Sequence, residues 1–511
     1  MLDVCCSRRG LIRGALATVA AAGLTWPAEA QAAPSAASAE AAPSASLAEA
    51  ARRLGDTISY VSRPDLRPPR VTVTRRPGLP ASPRYFLITA DGPAGQHGPL
   101  ILDQAGDVVW FSPVPSSGET TNLSVQTYRG KPVLTWWENT QRSADPSVGV
   151  GVGLIADDRY QVIAKVNAGN GLATDFHELH LTSRGTALIT ARRRRQVNLS
   201  KLGGPAKGYA WSGVAQEIDI ATGKVVMEWD SLDHVALTET QHSLAGGKTA
   251  NYPFDYFHIN SVSVTHDNDL LISGRNTCAV YKIDRKTGAV KWRLGGRKSN
   301  FAMGSGATFW WQHDAREVSP NVLSIFDDAS APSKETQSRG ILLDLDTTHK
   351  RAALRHAYTS TARPRAANQG SMQVLEDGRV VVGWGNQPSF TEFAANGAEL
   401  LNAQLPHPDW SYRAFASDWT GVPDGRPAAV ARRSRSGGAV VYMSWNGATG
   451  VASWTVHAGP RKTGLALVGR GPRESFETAI YTKDAGPYFY VDALDANGRV
   501  LGRSAVTRCR Q

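Results

Sequence analysis

Three histidines recur at one phase of a repeated pattern: His177 in DFHELHL, His258 in YFHINSV and His313 in WQHDARE. Each opens an apolar-alternating stretch, and each is flanked by an aromatic residue (Phe176, Phe257, Trp311). Imidazoles ligate metals, move protons or act as nucleophiles. Three neutral imidazoles are a common metal shell. Against that chemistry, no HxH or HxxxH pair is present, and Arg275 in SGRN would oppose a cation. Asp175, Glu178 and Asp314 adjoin or neighbour the histidines without a clear ligand geometry. His177 and His180, three apart, fall on opposite faces of a strand. Group transfer is the second candidate. One imidazole nitrogen would carry a covalent group while the other histidines and Arg275 bind an anion and stabilise charge on its oxygens. The arginine favours this candidate. A lone histidine is more often a hydrogen-bonded structural residue, and His266, His349 and His356, in turn-like or outer-strand contexts, read that way.

For distant histidines to meet, the chain must bring strand starts together. Hairpins with an Asp-x-x-Thr-Gly type of turn recur, as in EIDIATGKVVM (217–227) and VYKIDRKTGAV (280–290). The glycine supplies the positive φ that the turn needs. A second hairpin precedes each of these, giving four strands per unit, the blade of a β-propeller. Five units are continuous. A sixth would combine strands at 85–89, 100–103 and 108–111 with an innermost strand at Tyr412–Phe415, closing the ring with both ends of the chain and removing exposed edges. The expected fold is all-β: a six-bladed propeller over 70–420, then a C-terminal β-sandwich of fibronectin type III-like character over 425–508, with Trp445 and Trp454 as core candidates. In a propeller the three histidines ring one channel mouth. Asn260, two residues after His258, points the same way in an extended strand. Trp136, Trp137 and Trp384 lie nearby on second strands. His234 and His242 belong to a long insertion, a candidate cover for the channel.

The first 32 residues read as a leader: Ser7-Arg8-Arg9-Gly10-Leu11-Ile12, a short Ala-rich run, and small residues for cleavage. The implied location is extracellular or in the cell envelope, by twin-arginine export. Residues 33–69 read as a linker with one short helix at 47–54. No stretch is long and apolar enough to span a membrane. The formal charge of +11 suits anionic substrates. The run Arg192–Arg195 lacks interleaved aromatics and reads as a solvated loop, not a nucleic-acid site. Beyond the leader only Cys278 and Cys509 remain, open to a disulfide or to two free thiols.

With these motifs in place the chain resembles the arylsulfotransferases, in their exported actinobacterial-type branch. The resemblance rests on VQTYRGKPVLTWWE, NGLATDFHE, QEIDIATGKV, DYFHINSV, ISGRNT, YKIDRKTG, WRLGG, FWWQHDAR, VVGWG and SYRAF, in order over 84–420. It implies ping-pong transfer of a sulfuryl group from an aryl sulfate to a phenol, without the nucleotide donor PAPS or another cofactor, through a sulfated histidine. His313 then matches the nucleophile. His177, His258 and Asn260 match the sulfate-binding set, and Arg275 the arginine that neutralises sulfate. Trp136, Phe176, Trp311 and Trp384 are the candidates for stacking on the aryl ring. Cys278 stands where an aromatic residue is expected. A metal-dependent hydrolase and a non-catalytic anion-binding propeller are the alternative readings.

Overall fold

The Asp-x-x-Thr-Gly steps form hairpins, and the reason is local. Asp219 Oδ1 accepts hydrogen bonds from the backbone N–H and the hydroxyl of Thr222, both at 2.8 Å, and Gly223 takes φ +71° to turn the chain back. Asp284 repeats the device with the Thr287 N–H at 2.9 Å and Gly288 at φ +74°.

The computed structural model describes residues 55–78, 82–143, 145, 147–330, 332–484 and 486–510. The leader and the helix expected at 47–54 lie outside them. The described chain is all-β, and six mainly antiparallel sheets are built from strands up to Ser417. From the inner strand outward, sheet I is Trp410–Ser417, Tyr85–Asp91, Gly98–Leu102 and Val108–Phe111. Sheet II is Thr120–Tyr128, Lys131–Asn139, Gly151–Ala156 and Val162–Val166. Sheet III is Leu179–Leu181, Thr186–Val197, Gly208–Asp219 and Val225–Asp230. Sheet IV is Ile259–Val264, Leu270–Gly274, Ala279–Ile283 and Val290–Gly295. Sheet V begins with His313–Ser319 and Val322–Asp327, and sheet VI with Ser371–Val374 and Val380–Gly383. Thr72–Arg75 adds an outer strand to sheet VI by pairing with Glu399–Gln404, so both chain ends contribute to this region. In sheet I, Phe86 pairs with Ala416 and Leu87 with Phe415.

Strand alternation explains the packing. Phe86 and Ile88 face sheet VI, where they meet Val381, Phe390 and Leu401, while Leu87 faces sheet II and meets Leu134 and Trp136. A separate apolar cluster fills each interface between consecutive sheets. The sheets touch in the cyclic order I to VI and back to I. Beyond Thr420, Ala428–Arg433, Ala439–Ser444 and Glu477–Thr482 form one sheet. Ser453–Gly459 and Tyr488–Leu494 centre another. The two share one apolar core with Val441, Met443, Trp454, Val456 and Phe489. Trp454 is buried in it, whereas Trp445 is only partly covered. Asn446 ties this region to sheet I by donating to and accepting from the Phe111 backbone.

One expectation changes and one open question closes. Arg192–Arg195 is not a solvated loop but part of strand Thr186–Val197; Arg193 pairs with Glu228 and Asp230, and Arg192 is buried. Cys278 and Cys509 are both free thiols. No helix among the described residues is long and apolar enough to cross a membrane.

Candidate active site

His313 is the first residue of its inner strand, and His258 and His177 come just before theirs. The backbone is bent at these entries. His258 has φ +52°, Asp314 φ +50° and Gln369 φ +68°, and pairing shifts register at 259–261 and at 313–316. Left-handed φ at a residue with a side chain costs about 1–2 kcal/mol, and such strain collects where side chains must be aimed. Gly370, at φ +103°, has no such freedom to change: a Cβ there would overlap the Phe326 ring.

Each histidine is anchored through Nδ1 to a carboxylate. His177 Nδ1 lies 2.5 Å from Asp175 Oδ2, His258 Nδ1 lies 2.6 Å from Asp255 Oδ2, and His313 Nδ1 lies 2.7 Å from Asp328 Oδ2. A carboxylate accepts, so each Nδ1 bears the proton and each Nε2 of a neutral ring keeps its lone pair. At His313 this is visible directly, because the Gln369 backbone N–H donates to Nε2 at 3.2 Å. All three rings are buried, with His313 only 1% exposed. Burial holds His313 neutral well below the usual histidine range, with Arg275, His258, His177 and Arg413 acting in the same direction. Burial lowers His258 to about 3, with Asp255 opposing and Arg192 and His177 assisting. Burial also lowers His177, against the pull of Asp175. The His177 and His258 rings stand edge to face, 5.1 Å between centroids.

The cations around these rings differ. Arg192 donates Nη1–H to Asp255 at 2.6 Å. Arg275 donates to Asn276 Oδ1 and to the Ala367 carbonyl, both at 3.0 Å, and its buried Nε has no partner. Among the described residues no carboxylate pairs with Arg275, whose guanidinium lies 5.6 Å from the Trp311 ring centre. A buried cation without a counter-ion is costly unless an anion arrives to pair with it. Asn260 donates its amide to the Gln312 carbonyl at 2.7 Å and leaves a buried Oδ1 without a partner. Among the described residues no three His, Cys, Asp or Glu groups are disposed to hold a metal ion.

The aromatic candidates separate. Phe176 stacks on His177 at 4.0 Å, and with Trp137 and Tyr412 forms a cluster beside it. Trp136 and Trp384 do not join the histidines. Trp136 packs with Trp110 between sheets I and II, and Trp384 packs with Phe326 and Phe393 between sheets V and VI, its N–H on Thr391. Adjacent strand residues face opposite ways, so Trp137 reaches the site that its neighbour does not.

Four residues at the site were not singled out for it from sequence: Asp255, Asp328, Arg192 and Tyr412. The D-x-H of 175–177 and the D-x-x-H of 255–258 carried a signal for two anchoring acids. Asp328 comes from the following strand's end and carried none.

One layer along the inner strands, the chemistry changes. Glu178 accepts from Arg316 Nη2 at 2.5 Å and Arg413 Nη1 at 3.1 Å, and Asp314 accepts from Arg316 at 2.7 Å. Arg413 also donates to the Asn260 carbonyl, and Asp314 accepts the Met372 N–H. This cluster ties inner strands of sheets I, IV, V and VI to Glu178 at the head of sheet III. It borders a cavity of about 310 Å³ lined also by His180, Gln126 and Gln373.

The model of the arylsulfotransferase (ASST) family matches residues 124–405, more than half of the chain. No curated protein matches. Among solved structures, a protein of unknown function from Bacteroides caccae is 10% identical with a TM-score of 0.40, over 66% of this chain and 99% of that one. A catalytically inactive virginiamycin B lyase from Staphylococcus aureus, solved with quinupristin, is 8% identical with a TM-score of 0.35, over 74% and 97%. A GH43 protein, BlXynB, from Bacillus licheniformis is 10% identical with a TM-score of 0.33, over 76% and 89%.

Proposed function

Because the chain belongs to the arylsulfotransferase family, we propose that it moves a sulfuryl group from an aryl sulfate to a phenol through a sulfated His313. The observation that carries this reading is the pairing of a buried guanidinium lacking a carboxylate, Arg275, with a neutral imidazole whose Nε2 holds a lone pair. An aryl sulfate is the anion that Arg275 needs and the electrophile that Nε2 attacks.

In the first step His313 Nε2 bonds to sulfur, the bond from sulfur to the aryl oxygen breaks, and the phenolate leaves. The Gln369 N–H releases Nε2 as it attacks. Asp328 keeps the Nδ1 proton and balances the positive charge that grows on the ring. A proton delivered by one of the other two histidines converts phenolate to phenol. In the second step an acceptor phenol returns a proton to that histidine, its oxygen attacks sulfur, and neutral His313 is released. Phenol departs before the acceptor binds, which is ping-pong order. Phe176, Trp137, Tyr412 and Trp311 supply aromatic surface for the ring. No cofactor enters this cycle.

The six cyclically touching sheets support reading the scaffold as a six-bladed propeller, and the shared core of the last two sheets supports a C-terminal sandwich. The Ser7-Arg8-Arg9 leader supports export by the twin-arginine route. In a panel of aryl sulfates and phenols, the chain should transfer sulfate without added metal or nucleotide, and His313→Ala should reduce turnover by at least about 10³-fold, as for loss of a nucleophile. Near-normal turnover in that variant would overturn the assignment. Turnover by the wild-type chain that depends on added metal would instead favour a hydrolase, and tight anion binding without turnover a binding protein.

A further inference from the structure

The two histidines flanking the nucleophile are built alike but stand in different electrostatic surroundings. Both have Nδ1 on an aspartate, and their centroids are 5.1 Å apart, so two imidazolium charges there would oppose each other. One proton can be held, and the surroundings decide where. We propose that Arg192 is a positioning residue that directs the transferred proton to His177 by engaging Asp255 and keeping His258 neutral. This rests on the sulfuryl-transfer reading above.

The geometry is asymmetric. Arg192, with a side chain only 1% exposed, donates Nη1–H to the same Asp255 oxygen that anchors His258, and its Nη2 sits 3.2 Å from His258 Nδ1. Because Asp255 lies 2.6 Å from that nitrogen, Nδ1 bears a proton and does not accept from Arg192. The guanidinium is permanently charged. A second proton on His258 would therefore sit beside a fixed cation, with its counter-ion already shared. Asp175 differs: beyond His177 it accepts from the Gly149 N–H at 2.6 Å, a neutral donor. Arg192 bears on Asp175 only through space, without a hydrogen bond, so more of that carboxylate's charge remains to hold a proton on His177.

The other charged neighbours do not reverse this. His258 faces Asp255, Arg192 and His177, and bears on His313; His177 faces Asp175, Arg192 and Arg413. Arg413 is neutralised by Glu178. When the sulfate arrives beside Arg275, the added negative charge favours proton uptake, and His177 is the ring that can accept it. The proton passes to the leaving phenolate and is recovered from the acceptor phenol, so the cycle is balanced.

The test titrates the imidazoles of the full chain, labelled with ¹⁵N-histidine and assigned through His177→Gln and His258→Gln. In the wild type with inorganic sulfate, His177 should take the proton before His258. In Arg192→Met, His258 should rise by at least about one pH unit and take it first. The fall of kcat/KM on the alkaline side should then begin at lower pH, with kcat about tenfold down at pH 7. Arg192→Lys, which keeps a charge but not the two-sided contact, should lie between these, and serves alone if Arg192→Met does not fold. A uniform loss at all pH values, or His258 titrating as in the wild type, would overturn the proposal. The titration needs no turnover, so it stands apart from the transfer assay: absent transfer with this titration order would remove the reading beneath, not the proton assignment.

Discussion

His177 and Glu178 are neighbours in the chain, as are His313 and Asp314, yet they belong to layers built on opposite rules. In the ionic layer two carboxylates meet two guanidiniums, and Glu178, Arg316 and Arg413 each have opposite charge within 3.1 Å. In the histidine layer the lone pairs on Nε2 and the guanidinium of Arg275 are left without a protein counter-charge. The closed layer holds inner strands together. The open one leaves room for chemistry. Adjacent residues fall into different layers because an extended strand sends alternate side chains apart, and the left-handed bends at His258 and Asp314 sharpen that separation.

The comparison breaks first if the ionic layer is opened. Glu178→Gln would strand Arg413 and Arg316, and removing one member of a buried ion pair costs about 3–5 kcal/mol. Urea unfolding should show that loss, with activity lost to unfolding and not to a changed mechanism; unaltered stability would contradict the structural role. Arg275→Met should do the reverse. It should lower kcat/KM by about 10²–10³-fold, as for loss of an anion-stabilising donor, while stability is kept or gained because an unpaired buried charge is gone.

Acid separates the layers further. The three site histidines are held below their ordinary value, chiefly by burial, so the unfolded chain binds more protons once pH drops below about 6.5. Their contribution is complete above that value and shrinks as pH falls. Burial alone would raise Glu178, but Arg316 and Arg413 outweigh it and hold it below the ordinary carboxylate value. Its contribution is therefore lost only as pH falls below about 4.3. Urea midpoints followed from pH 8 to 3 should fall in two phases, and His258→Gln should weaken the first alone. The smallest effect belongs to Trp384→Phe: packed between sheets V and VI, it should cost stability while leaving kcat/KM within about twofold.

Much of this was legible in the sequence because turns and alternation are local. The Asp219 and Asp284 turns announced the hairpins, and the shared phase of His177, His258 and His313 announced the site. What was hidden depended on facing and on partners from other strands. Within Trp136-Trp137, nothing local says which ring faces the histidines. Arg192 was concealed in a run of four arginines, only one of which is buried against Asp255. Asp328 reaches His313 from the end of a neighbouring strand, and no spacing rule links them.

The central claim is that the unpaired charge and the neutral ring of the histidine layer serve one covalent intermediate on His313. Incubating the protein with p-nitrophenyl sulfate, without an acceptor, and digesting it under mildly alkaline conditions tests this directly by peptide mass. The account predicts a gain of about 80 Da confined to the peptide bearing His313 and discharged by added phenol. A burst of p-nitrophenol with no adduct, or an adduct on the peptide bearing His177 or His258, would contradict it.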